Sequence, residues 1–264
     1  MTNSILFLSM KEAIIFDFGF TLFFFEDASL QKYLECFRKG LKKIITYLKQ
    51  QDIFVSDDAT TKFRMLFKDF RSRYYSLIRQ SNREFATADL IALVLEKLKS
   101  LNLIKSIRRP ISQFANELAT IFHSFEAKAW IPFENAHKTL EKLKKKGSIK
   151  LAVLSNHPHH DLILTLLSKH DMARFFDVIM TSAQVGFRKP DQRIFQVTLR
   201  KLDVLKTPGS CIMCGDEYAD IVGSRRVGLK PILYERAYKF PKEKEITGTD
   251  YILIEDISEI LDYI

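Results

Sequence analysis

Cysteine is scarce in this chain: three in 264 residues, Cys36, Cys211 and Cys214. Three thiols cannot make a disulfide framework, so a packed core has to hold the fold. Cys211-Ile212-Met213-Cys214 has the C-x-x-C spacing of a zinc or redox half-site. The run is apolar and no second ligand pair accompanies it, so buried strand thiols are the plainer expectation. Long hydrophobic runs are missing too. Lys11, Glu12 and Asp17 interrupt the apolar N-terminal stretch well short of the roughly 18 residues a membrane span needs. Ile5-Leu6-Phe7-Leu8 has no basic region before it and no small-residue cleavage pattern after it, which argues against a secretory signal. A cytoplasmic protein with no membrane partner is expected. Internal repeats and low-complexity tracts are absent as well.

What the chain does have is core material, 47% hydrophobic residues, enough for one large domain or a core carrying a smaller insertion. Its net charge of +9 is unevenly spread, with 19 Lys/Arg against 12 Asp/Glu in residues 26–128. A basic segment of this kind can steer anionic substrates, bind nucleic acid weakly, or simply keep a surface solvated. Arg64, Lys68 and Arg71 form one such stripe at helical spacing, with Phe63, Phe67 and Phe70 beside it. Phenylalanines packing inward under solvated charges explain the pattern more simply than nucleic-acid binding does.

Two textures divide the chain. From Glu26 to about Lys128 the pattern is helical, over Leu30 to Gln50, Thr60 to Arg79 and Ala88 to Leu101, with Gly40 the one glycine in these stretches. Past Trp130, short apolar runs alternate with helical segments: strands at Ile149 to Leu154, Phe176 to Met180, Cys211 to Cys214, Pro231 to Tyr234 and Tyr251 to Ile254, helices at His160 to His170, Asp191 to Leu202 and Tyr218 to Val227. Such alternation predicts a parallel sheet with helices on both faces, whose inner strands are nearly all apolar. Ala13 to Phe16 fits as its first strand. The helical segment then interrupts an α/β domain just after that strand, which divides the chain into a core of residues 1–25 and 129–264 and an inserted domain of residues 26–128.

In open parallel sheets, ligands collect beyond the carboxyl ends of the strands. The residues that follow the apolar runs are Asp17, Ser155-Asn156 and Gly215-Asp216, and Lys189 stands just before a helix. Singly, each has a plain role as a turn or helix cap or as a surface charge. Together they suit phosphoryl transfer. Asp17 would attack phosphorus, a divalent cation held by Asp17 and Asp216 would offset the repulsion, and Ser155 and Lys189 would hold the phosphoryl oxygens. An all-oxygen site of this kind suits magnesium.

Asp17-x-Gly19-x-Thr21-Leu22, Ser155-Asn156, Arg188-Lys189-Pro190-Asp191 and Gly215-Asp216-x-x-x-Asp220 resemble, in order, the four motifs of the haloacid dehalogenase superfamily. The insertion after the first motif resembles the helical cap of its first subclass. The resemblance implies a Rossmann-like parallel sheet core with an inserted α-helical cap domain, and an aspartyl-phosphate intermediate at Asp17. It implies magnesium bound by Asp17, the carbonyl of Gly19 and Asp216, with Asp220 on the metal side or behind it. Thr21 would hold the turn and orient the site, joining Ser155, Asn156 and Lys189 around the phosphate of a small phosphorylated substrate.

One position departs from the pattern. Phosphatases of this family usually carry a second Asp two residues after the nucleophile, to protonate the leaving group and then activate water; here that residue is Gly19. Losing a positioned acid/base removes about 10²–10⁴-fold in rate, so a preference for good leaving groups, or an acid borrowed from His157, Glu26 or Asp27, is expected. Dehalogenases also lack that Asp, but Asp216 and Asp220 keep the carboxylates a cation needs, which ranks phosphate-ester hydrolysis first. Phe20 and the bulky Phe23-Phe24-Phe25 run leave open a third reading, a protein that binds a ligand or partner without turnover.

Overall fold

The structure is a computed structural model describing residues 11–236, 238–240 and 243–264; the Ile5–Leu8 stretch lies outside the described residues. Eight strands and nine α-helices are present among them. The core begins with β1 (Ala13–Phe16). A three-residue strand β2 (Phe23–Phe25) leads to four helices: α1 (Leu30–Gln50), α2 (Asp57–Ser81), α3 (Thr87–Ser100) and α4 (Ile111–His123). The chain returns through β3 (Trp130–Pro132) and continues with α5 (Ala136–Lys145), β4 (Lys150–Ser155), α6 (His160–Lys169), β5 (Val178–Thr181), the single turn α7 (Ser182–Val185) and α8 (Gln192–Lys201). β6 (Cys211–Gly215), α9 (Tyr218–Arg226), β7 (Lys230–Tyr234) and β8 (Ile252–Ile254) complete it.

Six strands form one sheet in the order β5-β4-β1-β6-β7-β8, every neighbouring pair parallel. β1 is central and all four of its residues are buried. Successive side chains of a strand point to opposite faces. Accordingly Ile14 and Phe16 join one apolar cluster, and Ala13 and Ile15 join the other. A strand covered on both faces has no polar alternation, which is why it reads as an unbroken apolar run. The chain leaves β1 toward β4 and β5 on one side and comes back to β6 on the other, so the strand order reverses beside β1. That reversal is where an open sheet of this kind accepts ligands.

The four helices have a core of their own, with Phe63, Phe67, Leu95, Phe114 and Leu118 among its buried members. α1 starts at Ser29, whose hydroxyl accepts from the Lys32 N–H, an ordinary N-cap. Gly40 lets α1 lie against α4: a Cβ there would stand 2.0 Å from the Phe122 carbonyl oxygen. Of the basic stripe, Arg64 and Lys68 are exposed while Phe63 and Phe67 are buried.

A short antiparallel ribbon joins the helices to the sheet, with Phe24 opposite Ile131, and the Glu26 N–H donates to the Ala129 carbonyl beyond it. The ribbon was not foreseen, because three-residue strands with a Phe-Phe-Phe run carry no period. No helix among the described residues is long and apolar enough to cross a membrane.

Candidate active site

Asp17 directly follows β1, and its N–H donates to the Cys214 carbonyl of β6 at 2.9 Å, which fixes the carboxylate at the strand's C-terminal end. Lys189, 172 residues away, reaches it: Nζ donates to Asp17 Oδ1 at 2.6 Å, to Asp220 Oδ1 at 2.6 Å and to the Leu154 carbonyl at 2.8 Å. All three donor positions of the ammonium are thus used. Lys189 is buried, and burial alone would push its pKa down. Asp17 and Asp220 reverse that and hold it above its ordinary value, so it is charged at any pH of interest.

Asp216 ends β6. Its Oδ1 accepts from Thr21 Oγ1 at 3.2 Å and its Oδ2 faces Arg236 Nη1 at 2.7 Å. Burial, then the charges of Asp17 and Asp220, push its pKa well up. Asp220 is fully buried; one oxygen takes Lys189 and the other accepts the Glu217 N–H at 3.2 Å. Burial raises its pKa to about 7. Asp17, Asp216 and Asp220 each offer a carboxylate oxygen, all within 4.8 Å of one another. Carboxylates crowded this closely repel, and a hard cation among them relieves the repulsion. The donor set therefore fits a magnesium-like ion held among Asp17, Asp216 and Asp220.

Two expected phosphate contacts have other tasks. Thr21 is fully buried and spends its hydroxyl on Asp216. Asn156 brackets the backbone of Lys189, Oδ1 accepting from its N–H at 2.8 Å and Nδ2 donating to its carbonyl at 3.1 Å. A residue that clamps the lysine's main chain fixes where the ammonium points, as Thr21 fixes Asp216, while Asn156 lines the cavity as well. Ser155, at the end of β4, also lines the cavity above Asp17.

Gly19 is packed against Trp130. A Cβ at residue 19 would come within 2.9 Å of the indole Cη2, and the ring is fixed by Phe18, Phe20 and Phe25, with centroids at 5.5, 5.7 and 5.0 Å. The space that would admit an acid there is filled by carbon. None of the three substitutes considered for it stands ready. Glu26 and Asp27 are exposed, and Asp27 pairs with Lys32 at 3.6 Å. His157 lines the cavity, but its Nε2 meets Glu126 Oε1 at 3.2 Å and its Nδ1 accepts from the His159 N–H at 3.1 Å. Both ring nitrogens are used. The same Glu126 meets His123 Nδ1 at 2.6 Å, and His123 Nε2 meets Thr87 Oγ1 at 2.9 Å. This His-Glu-His group has the residue types of a metal site, yet each of its side-chain nitrogens and oxygens already has a partner.

Sequence reasoning missed Arg236, Glu126, Glu84 and Trp130. Glu84, between α2 and α3, accepts from Ser182 Oγ and pairs with Arg188, and the Arg188 N–H donates to the Asn82 carbonyl at 2.8 Å. With Glu126 on His157, these contacts hold the helical segment over the sheet. Between them lies a cavity of about 500 Å³, with Asp17 and Ser155 at its floor and residues of α1 and α2 across it. No local pattern marks such residues. Only the short reach from the Gly215-Asp216 motif to Arg236 offered a signal. The three cysteines are buried, free thiols. Burial pushes Cys214 well up and Cys211 to about 11, so they are inert.

Known proteins agree with this layout. A 2-haloacid dehalogenase from Pseudomonas syringae superposes over 96% of this chain and 98% of its own, with a TM-score of 0.64 and 19% identity. A predicted phosphoglycolate phosphatase from Haemophilus somnus does so over 96% and 97%, with 0.54 and 16%. At these identities the likeness is one of fold. Among curated sequences, glyceraldehyde 3-phosphate phosphatase of Methanothermobacter thermautotrophicus is 32% identical over 145 residues, 53% of this chain and 61% of that protein. Pyrophosphatase PpaX of Bacillus mycoides is 32% identical over 130 residues, 49% of this chain and 58% of that protein. The chain thus spans about 60% of the length of these relatives. The sequence profile described as haloacid dehalogenase-like hydrolase matches residues 74–234. That is more than half of the chain and includes three of the four motifs, while Asp17 stands where the shared fold requires the first, so the chain belongs to the haloacid dehalogenase-like hydrolase family.

Proposed function

We propose that the protein is a magnesium-dependent phosphatase acting on a small phosphorylated molecule through an aspartyl-phosphate at Asp17, with residues 26–128 as a first-subclass cap over the core. The observation that carries this is the Asp17 carboxylate at 2.6 Å from a buried, charged Lys189, with Asp216 beside it and a cavity above. One Asp17 oxygen stays bonded to Lys189, leaving the other to attack. The bond from phosphorus to the ester oxygen breaks and its electron pair leaves with that oxygen. Water then cleaves the aspartyl-phosphate, returning the Asp17 carboxylate and releasing inorganic phosphate. Lys189 neutralises charge on Asp17 and the phosphoryl oxygens, and Ser155 donates to one of them. Magnesium, held by Asp17, Asp216 and the Gly19 carbonyl, would supply charge stabilisation at the phosphoryl group. Asp220 and Asn156 orient Lys189, and Thr21 orients Asp216.

The phosphatase names of the curated relatives support the reading. The experiment is phosphate release from a panel of phosphate esters with and without magnesium, using Asp17→Asn as control. Turnover that needs magnesium and disappears in Asp17→Asn is expected. No turnover across the panel, with cation binding retained, would mean a ligand-binding protein. Metal-free chloride release from a haloacid would mean dehalogenation.

A further inference from the structure

The residue missing at position 19 and the walls of the cavity point to the same substrate. We infer that the site hydrolyses phosphomonoesters of planar aromatic alcohols, in preference to sugar or polyol phosphates and to pyrophosphate; this rests on the phosphatase reading above.

The chemical argument concerns the leaving group. With Gly19 closed off by Trp130 and both nitrogens of His157 engaged, neither position 19 nor His157 can protonate a departing oxygen. An aliphatic alkoxide is about as basic as hydroxide, whose conjugate acid has a pKa of roughly 15.7, and leaves poorly without a proton. A phenol ionises near pH 10, as the tyrosine side chain does, so its oxygen departs as the anion. Trp130 lines the cavity wall with its ring.

The cavity makes the second argument. Its cap side is aromatic. Phe37 and Phe122 stack with centroids 5.7 Å apart, and Tyr74 and Phe85 stack at 4.0 Å. Leu30, Leu34 and Tyr75, exposed by 49%, 45% and 53%, line the same cavity and give it an apolar mouth. A sugar phosphate would lose the hydration of several hydroxyls against such walls, whereas an aryl group gains contact with them. The cations of the site are committed: Lys189 to Asp17 and Asp220, Arg236 to Asp216 and Glu243, Arg188 to Glu84. Arg71 has no acidic partner among the described residues, but its guanidinium lies 4.5 Å over the Phe37 ring, presenting a cation to an aromatic ligand. Glu84 and Glu126 also line this half.

In the reaction, Asp17 bonds to phosphorus, the phosphorus–aryl oxygen bond breaks, and the pair stays on the aryloxide, which takes its proton from water after release. A second water cleaves the phosphoaspartate to inorganic phosphate.

The test compares kcat/KM for 2-naphthyl phosphate, acetyl phosphate, glycerol 3-phosphate and pyrophosphate in magnesium. Acetate is a better leaving group than naphtholate, so leaving-group quality alone ranks acetyl phosphate first. Fit to the cavity ranks 2-naphthyl phosphate first. We expect 2-naphthyl phosphate to lead acetyl phosphate and to exceed glycerol 3-phosphate and pyrophosphate by about 100-fold or more. Tyr75→Ala at the mouth and Phe37→Leu inside, each checked for native circular dichroism, should each lower the naphthyl-to-acetyl ratio about three- to tenfold. If acetyl or glycerol phosphate equals 2-naphthyl phosphate, or both variants leave the ratio unmoved, the aromatic assignment fails while the phosphatase stands. Release of phosphate from none of the four overturns both.

Discussion

Replacing Gly19 with Asp should restore the missing acid only if Trp130 is cut back at the same time. The new Cβ alone would stand 2.9 Å from the indole, and the carboxyl would have to pass a ring that is 6% exposed and packed among Phe18, Phe20 and Phe25. Overpacking of this kind costs about 1–3 kcal/mol, so Gly19→Asp alone is expected to lower the urea midpoint and gain no activity. Trp130→Leu opens the space; it loses part of the roughly 3–5 kcal/mol that removing a whole core aromatic costs and serves as the background. In the double variant an acid can stand beside the leaving oxygen. The rate on glycerol 3-phosphate should then rise by about 10²–10⁴ over Trp130→Leu, while 2-naphthyl phosphate, which needs no proton, changes far less. The assay is the ratio of kcat/KM for the two esters in all four proteins. A single Gly19→Asp that folds with unchanged stability and matches the double variant would show that Trp130 does not occlude the position. A double variant with the Trp130→Leu ratio would refute the idea that the absent acid limits alkyl esters.

Lys189→Met leaves Asp17 and Asp220 buried against each other without their cation; breaking a buried pair costs about 3–5 kcal/mol, so a fall in urea stability of that order should accompany loss of phosphate release. Asn156→Ala removes both bonds to the Lys189 backbone, and kcat should fall while KM moves little; a rise in KM with kcat unchanged would return Asn156 to direct phosphate binding. His159 stacks on His123 at 5.2 Å, and burial lowers its pKa from 6.5 to about 3. A base with a depressed folded pKa contributes stability above its unfolded pKa and loses it as pH falls toward the folded value. Stability should therefore decline from pH 6.5 downward, by up to about 1.4 kcal/mol per pH unit from this group. Urea titrations from pH 7 to 5 should show a shallower slope in His159→Phe, and an identical slope would remove His159 as the source.

The family and its sheet were legible in sequence because each motif is local. An apolar run ending in Asp17, Ser155 or Asp216 says that a buried strand stops and a polar group begins, and strand ends of one parallel sheet converge whatever fills the loops. The order of those runs, with helices between them, was enough to foretell that Lys189 would find Asp17. Helical periodicity likewise announced the segment inserted after the first strand.

The tertiary structure alone decided which side chains were free to act. Thr21 spends its hydroxyl on Asp216, and Asn156 turns an oxygen and one N–H to the Lys189 backbone while lining the cavity. His157 looked available, but Glu126 and the His159 main chain hold its ring. Arg71 is one of three bases in a stripe that sequence cannot tell apart, and only the folded chain sets it over Phe37 of α1 while Arg64 and Lys68 stay in water. Gly19 could be seen to lack a carboxyl, but only the fold showed Trp130, 111 positions away, packed against it. Short-range patterns record where the backbone changes state. Which polar atoms remain unpaired depends on contacts across a hundred residues or more, and those exist only once the chain has packed.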